Sequence, residues 1–414
     1  MVSPFDNLTA EQRAAVTDTR DSEVGIIAGP GTGKTHTLAA RAAYLIEAGA
    51  DPASILILTF TRSAASSIAE RVAATCQRKI EARTFHGYAA RHVLADGERV
   101  ATEIEEDAAF RSLYTGAAKR DGIPGKRELR ELISMEEAHE AYPLLAGTKA
   151  MSILEHRLKC AGLVPTWILL KRLGEMIAAD DVKENRIVLI DEAQDMTPRE
   201  IGIVSRISSS VFAVGDPRQA IFGWRGAVDP NGGEKTWLEN AYHDLSRSFR
   251  FGEAIASYAN QIAARMVNDG RIVGCDKPSE VIAADPSRVL DAIESRNHVA
   301  VLCRTHRDCE KACADLNALD IPTEHIKRDP ADALSDDDDK IASAHGRGNV
   351  VVTTVHTMKG READVVVIDD SVYASVDPMR STREVTLEDW RVLFVAATRA
   401  KATLMIGGDN ADAF

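Results

Sequence analysis

Val24-Gly25-Ile26-Ile27-Ala28-Gly29-Pro30-Gly31-Thr32-Gly33-Lys34-Thr35 is an apolar run that ends in a glycine-rich turn and passes into a helical pattern near His36. A buried strand feeding such a turn lets successive backbone N–H groups face inward around an anion, and the following helix N-terminus adds a favourable dipole. In this reading Gly29, Pro30, Gly31, Thr32 and Gly33 cradle the phosphates of a nucleotide, with His36 just beyond. Lys34 adds a mobile positive charge, and the Thr35 hydroxyl can ligate Mg²⁺. The pattern G-x-x-x-x-G-K-[ST] is met except at its first position, Ala28, a change the turn tolerates because the glycines nearest the phosphates remain.

Outward from this loop, short aliphatic runs at Ile55–Thr59, Ile187–Ile190 and Val211–Val214 alternate with longer amphipathic stretches, the pattern of buried parallel strands and covering helices. The alternation returns at Val299–Cys303, Val350–Val355, Val365–Ile368 and Thr403–Ile406, after a helical stretch over Glu253–Val267. The fold class is therefore α/β, with two parallel-sheet domains. Between Ala89 and Glu184 the strand signal vanishes and the segment reads as helical, an insertion into the first sheet. The expected division is 1–88 and 185–245 for the first α/β domain, 89–184 for the helical subdomain and 246–414 for the second α/β domain. The acidic run Ser335–Asp339 and the glycines of 346–348 have loop composition, and no repeat of fixed period is visible.

The run Ile187–Ile190 ends in Asp191-Glu192-Ala193-Gln194-Asp195, placing acids at the carboxyl end of a strand, where α/β proteins bind ligands. Asp191 is suited to hold Mg²⁺ and Glu192 to orient or deprotonate a water attacking a γ-phosphate.

Composition sets the outer bounds. A chain of 414 residues with 45% hydrophobic and 27% charged residues lies in the ordinary globular range and has room for several domains. No apolar run approaches the roughly 18 residues of a membrane span, and no secretory signal is read at the start, so a cytoplasmic protein with reduced thiols is expected. The net charge of −13 does not favour a sequence-independent grip on a polyanion, although local basic clusters such as Lys126–Arg130 or Lys171-Arg172 can line a groove. Cys303, Cys309 and Cys313, with His306 among them, lack the tight C-x-x-C pairs of a zinc or iron–sulfur site and read as structural thiols.

Taken together, the ordered motifs from Leu8 to Lys401 resemble the UvrD/Rep family of superfamily 1 helicases. Leu8-Thr9-Ala10-Glu11-Gln12-Arg13 looks like the family's opening glutamine motif, which gives Gln12 the adenine. Leu58-Thr59-Phe60-Thr61-Arg62-Ser63-Ala64-Ala65 and Thr84-Phe85-His86-Gly87 are similar to its T-F-T-N-x-A-A and T-F-H-G segments along the single-strand groove. The stretch from Gly215 to Ala227 is similar to G-D-x-x-Q-S-I-Y-G-W-R-G-A. The resemblance makes Gln219 a γ-phosphate sensor and places Phe222, Trp224 and Arg225 on DNA bases. Leu245–Arg250 resembles L-x-x-N-Y-R, with Phe249 on adenine and Arg250 on the γ-phosphate. Thr354–Glu362 retains T-x-H-x-x-K-G-x-E, which assigns His356 and Lys359 to DNA and Glu362 to the ribose. Val395–Ala400 matches V-x-x-T-R-A, with Arg399 as arginine finger.

The resemblance implies two RecA-like motor domains that bind ATP and Mg²⁺ between them and move 3′ to 5′ on single-stranded DNA up to duplex junctions. Ser63, Ala220, Phe222 and Ser248-Phe249 depart from the family pattern but keep size or aromatic character. The family's second helical insertion and its appended nuclease domain are not read here, so a nuclease or repair enzyme is expected as a separate partner. An alternative keeps the nucleotide site in a DNA-stimulated ATPase subunit that gates such a partner. A third reading, a non-catalytic nucleic-acid-binding module, is opposed by the joint presence of Lys34, Glu192, Gln219, Arg250 and Arg399.

Overall fold

The computed structural model describes residues 5, 7–20, 23–114, 129, 133, 149–229, 236–239, 241–266, 270–295, 297–327, 344, 349–381 and 383–407. The basic cluster at 126–130 apart from Leu129, the acidic run at 335–339 and the glycines of 346–348 lie outside these residues. The chain divides into two units. One comprises Met1–Ile26, Thr35–Val214 and Phe222–Tyr242, and the other Ile27–Lys34, Gly215–Ile221 and His243–Phe414.

The first six-stranded sheet is built from β1 (Glu23–Ala28), β2 (Ile55–Thr59) and β3 (Glu81–Thr84). After a separate ribbon of β4 (Arg99–Val100) and β5 (Leu163–Val164), β6 (Arg186–Ile190), β7 (Ser208–Gly215) and β8 (His243–Leu245) complete it. Its order is β3-β2-β6-β7-β1-β8, and the β3–β2, β2–β6 and β6–β7 pairs run parallel. All five residues of β2 are buried, which is why its sequence shows no polar alternation: helices cover both faces. Leu56, Leu58, Val188 and Ile190 form a core with Tyr88, Leu169, Leu173 and Ile203 from the helices Phe85–Val93, Thr166–Ala178 and Pro198–Ile207. The stretch expected to be purely helical does hold helices at Glu103–Tyr114, Lys149–Cys160 and Thr166–Ala178. It also carries the β4–β5 ribbon, whose two-residue strands are too short for hydrophobic periodicity to register.

In the second unit β9 (Arg247–Gly252) pairs with β10 (Val273–Cys275). The second sheet contains β11 (Glu280–Ala283), β12 (Val299–Cys303), β13 (Thr323–His325), β14 (Val350–Thr354), β15 (Ala363–Ile368) and β16 (Ala400–Ile406). The order is β11-β16-β15-β12-β14-β13, with every neighbouring pair parallel. Side chains alternate between two cores, as the period of two requires. Val299, Val301 and Cys303 pack with Val350, Val352 and Cys309, whereas Ala300 and Leu302 pack with Val366, Ile368, Leu404 and the helices Glu253–Ala263 and Leu387–Ala397. No helix among the described residues is long and apolar enough to cross a membrane.

Candidate active site

β1 ends at Ala28, and the helix Lys34–Glu47 begins two residues before His36, where the sequence pattern placed its start. Between them Gly31 and Gly33 have φ of +73° and +84°, a region open to glycine without strain. At Gly31 a Cβ would also lie 2.6 Å from Ser248 Oγ and 2.6 Å from Arg250 Cβ, so any side chain would fill the cradle. The buried Thr32 hydroxyl donates to the Gly29 carbonyl at 2.8 Å and pins the turn. Lys34 Nζ folds back over the loop, 3.3 Å from the Ala28 oxygen and 3.4 Å from the Gly29 oxygen. A glycine nest with an ammonium above it is a donor set for a polyphosphate. Phe249 lies beside the loop: its N–H donates to the Gly31 carbonyl at 2.8 Å while 44% of the residue stays exposed.

In the first unit, Thr35 Oγ1 donates to Asp191 Oδ2 at 3.4 Å. Two hard oxygens at this separation suit Mg²⁺, whose neighbouring ligands lie about 3 Å apart when the bonds are about 2.1 Å. Asp191 is anchored at the end of β6 by its N–H on the Leu58 carbonyl, 2.9 Å away. The next residue, Glu192, has φ of +54°, a left-handed conformation costing a non-glycine residue roughly 1–2 kcal/mol. Gln194 Nε2 donates to Glu192 Oε2 at 2.6 Å and aims the carboxylate. Gln12 is buried at the start of the helix Ala10–Val16, where its Oε1 accepts from the Thr9 N–H at 3.0 Å in a capping box. Burial, reinforced by Arg71, pushes the His36 imidazole below its ordinary range and favours its neutral form.

The second unit gathers buried arginines. Asp216 is fully buried and accepts from Arg218 Nε and Gln219 Nε2, both at 2.8 Å. Burial alone would raise its pKa, but Arg218 and then Lys34 hold it below the usual carboxylate range. Gln219 Oε1 accepts from Arg399 Nη2 at 2.9 Å, so Asp216, Gln219 and Arg399 form one continuous relay. Arg399 is buried and also donates to the carbonyls of Val395 at 3.1 Å and Arg361 at 3.3 Å. Lys359, expected on DNA, donates through Nζ to the Gln219 carbonyl at 2.5 Å. Arg250 and Glu362, expected on γ-phosphate and ribose, are bonded to each other at 2.7 Å. Arg250 Nη1 also donates to the Thr398 carbonyl at 2.8 Å. Burial works against the Glu362 carboxylate, and Arg250 with Lys401 overcomes it to keep its pKa low.

Of the residues expected along DNA, Phe60, Phe222, Trp224 and Arg225 come together in the first unit. The Phe60 and Phe222 rings stack at 5.2 Å, and Trp224 meets Phe222 edge-on at 6.3 Å. The Arg225 guanidinium lies 4.9 Å from the Phe60 centroid. Trp224 is 46% exposed whereas Phe222 is buried, so Phe222 backs the platform and Trp224 presents an open face. Phe85 differs from expectation: it is buried in the apolar core with Leu56 and Leu58, because the start of its helix points it inward. The Thr61 and Thr84 hydroxyls accept from Ala64 N–H at 3.2 Å and Gly87 N–H at 3.0 Å, capping the helices that carry exposed Arg62 and buried His86. In the second unit burial, then Arg304 and Lys359, push the His356 imidazole down to about 3, which leaves it neutral.

Several positioning residues carried no role in the sequence reading: Gln194, Asp216, Arg218, Ser248 and Thr398. All five stand inside quoted motifs, and a glutamine two residues beyond a candidate general base was the available signal for Gln194.

The second unit thus holds a glycine nest with its lysine and buried arginines, and the first a Thr–Asp oxygen pair with an aimed glutamate beside it, the kinds of group that phosphoryl transfer calls for. The profile of the UvrD/REP helicase N-terminal domain matches residues 8–161 and 135–232, and that of the UvrD-like helicase C-terminal domain matches 349–406. The chain belongs to the UvrD/Rep family. It is 24% identical over 468 residues to a probable DNA helicase of Mycoplasma pneumoniae, covering 99% of this chain and 85% of the relative. It is 24% identical over 485 residues to DNA helicase IV of Escherichia coli, covering 95% and 66%. To the ATP-dependent DNA helicase PcrA of Staphylococcus aureus it is 27% identical over 295 residues, covering 62% and 40%.

Proposed function

We propose that this chain is an ATP-dependent DNA helicase whose Mg²⁺-assisted motor moves 3′ to 5′ along single-stranded DNA. The observation that carries the reading is the segment Asp216–Arg225. Within it Gln219, bonded to Arg399 at 2.9 Å, stands three residues before Phe222 and five before Trp224. In this reading a change felt at Gln219 passes to Phe222 and Trp224 along the chain itself.

ATP supplies the transferable phosphoryl group, and Mg²⁺ offsets its charge when bound. The loop N–H groups and Lys34 would bind the phosphates, and Thr35 with Asp191 would hold the metal. Glu192, aimed by Gln194, accepts the proton of the attacking water on a carboxylate oxygen. Arg399 and Arg250 stabilise the negative charge on the transferring group, which for Arg250 means exchanging the Glu362 carboxylate for a phosphate oxygen. Bases stack on Trp224 and Phe60, a sequence-tolerant contact because every base offers a π-face.

The test is ATP hydrolysis with and without single-stranded DNA, on wild type and Glu192→Gln, followed by strand displacement from 3′-tailed and 5′-tailed duplexes. DNA-stimulated hydrolysis that the substitution abolishes, with displacement from the 3′-tailed duplex alone, is the expected result. Displacement from the 5′-tailed duplex would overturn the direction, and stimulated hydrolysis without displacement would make the chain a DNA-dependent ATPase serving a partner.

A further inference from the structure

The second unit brings together a set of side chains that the nucleotide chemistry does not use. Thr305 and Asp308 form a capping box at the start of the helix His306–Asn317. The cap fixes the helical phase, so His306 and Cys309, three residues apart, share a face. β13 supplies His325, whose register is set by its pairing with Val352 and by the Ile326 N–H on the Val352 carbonyl at 3.0 Å. His306 Nδ1 and His325 Nε2 stand 3.4 Å apart, and with Cys309 Sγ the three candidate ligand atoms lie within 4.8 Å of one another. Cys309 is fully buried and both histidines are half-buried.

We propose that His306, Cys309 and His325 bind one Zn²⁺, with the fourth position open to solvent. In a tetrahedral site with zinc–nitrogen bonds of about 2.0–2.1 Å, two ligand nitrogens are separated by about 3.4 Å. Two imidazoles and a thiolate form a borderline-soft set that suits zinc and disfavours the hard Mg²⁺ of the nucleotide site. Cys309 binds as thiolate and its proton passes to solvent. Spacing alone grouped Cys303, Cys309, Cys313 and His306; folding keeps His306 and Cys309 and adds His325, 19 residues from His306. The metal would clip the three-residue edge strand β13 to the helix packed beside it.

The experiment uses the full chain, stripped by chelator and held in magnesium-free buffer. Zn²⁺ is titrated calorimetrically and Co²⁺ is followed by absorption, on wild type, His306→Ala, His325→Ala and Cys309→Ser. One zinc per chain is expected, with a thiolate-to-cobalt charge-transfer band that Cys309→Ser removes. Each histidine substitution removes a ligand and should weaken zinc binding by more than the roughly 10–100-fold that loss of an outer-shell partner costs. Zinc should raise the melting temperature of wild type but not of His325→Ala. Because Cys309 lies in the core, its serine variant also perturbs packing. The half-buried histidines therefore carry the test, with DNA-stimulated ATP hydrolysis retained in His325→Ala as the sign of an intact fold. Absence of stoichiometric zinc binding, or an affinity unchanged by both histidine substitutions, overturns the site, leaving a hydrogen-bonded histidine pair.

Discussion

Two glutamines, one in each unit, hold a charged side chain by its tip, and they do so differently. Gln194 grips Glu192 at 2.6 Å on a left-handed, half-buried backbone position. Gln219 grips Arg399 at 2.9 Å inside a buried relay that begins at Asp216 and includes two further backbone acceptors. Gln194 therefore aims the acid through a short contact on a left-handed turn, whereas the arginine is held by acceptors on several sides. Preorganised cations cost no reorganisation at the moment of charge development.

The largest effect should come from the fixed side. Arg399→Ala is expected to lower the DNA-stimulated turnover about 10³–10⁵-fold in a single-turnover assay. Arg399→Lys should recover little of it, because one ammonium does not reproduce a fork shared among several acceptors. Glu192→Gln should cost about 10²–10⁴-fold in turnover while leaving nucleotide affinity, read by fluorescent-analogue titration, nearly unchanged. The two glutamines give the sharper contrast. Gln219→Ala should slow turnover about 10–100-fold by releasing Arg399, and Gln194→Ala by less than about 10-fold, because the left-handed turn still directs Glu192. Equal losses would break the comparison.

The smallest expected effect is in acid stability, where the units should behave alike. Glu81 on β3 resists burial through Arg91, Arg83 and Arg186 and is held at about 2. Asp389 resists burial through Arg383, the Thr386 cap and Arg304 and is also held at about 2. Both pKa values are depressed on folding, so the stabilisation is present above the unfolded carboxylate value of about 4 and is lost as pH falls toward 2. Glu81→Gln should flatten the pH dependence of the melting temperature in that window, by no more than about 1 kcal/mol because partly exposed ion pairs are screened. A melting profile that separates into two acid transitions would show that the units differ here too.

The sequence made the central strands legible because they are apolar on both faces: Ile55–Thr59 and Val299–Cys303 are strands with those bounds. Edge strands escaped it. Glu81–Thr84 and Thr323–His325 carry charge and polarity, and only a neighbouring strand makes them extended. The residues assigned to the nucleotide were chosen where they cluster in short motifs. Contacts that close over long separations have no spacing signature, such as Arg399 on Gln219, 180 residues apart, or Arg250 on Glu362, 112 apart. Phe85 shows the opposite limit: an aromatic inside a motif can belong to the core, and only its burial distinguishes the two.

The position of β1 between β7 and β8 also bears on how the polypeptide is made. The strand that carries the phosphate loop leaves the ribosome before the other strands of its sheet, yet its β7 neighbour follows roughly 180 residues later, a wait of roughly 10–40 seconds at ordinary elongation rates. Throughout that interval Val24–Ala28 lacks its native β7 neighbour. A nascent chain arrested before Ser208 would carry the complete phosphate-loop motif but no β7 beside which its strand could be laid.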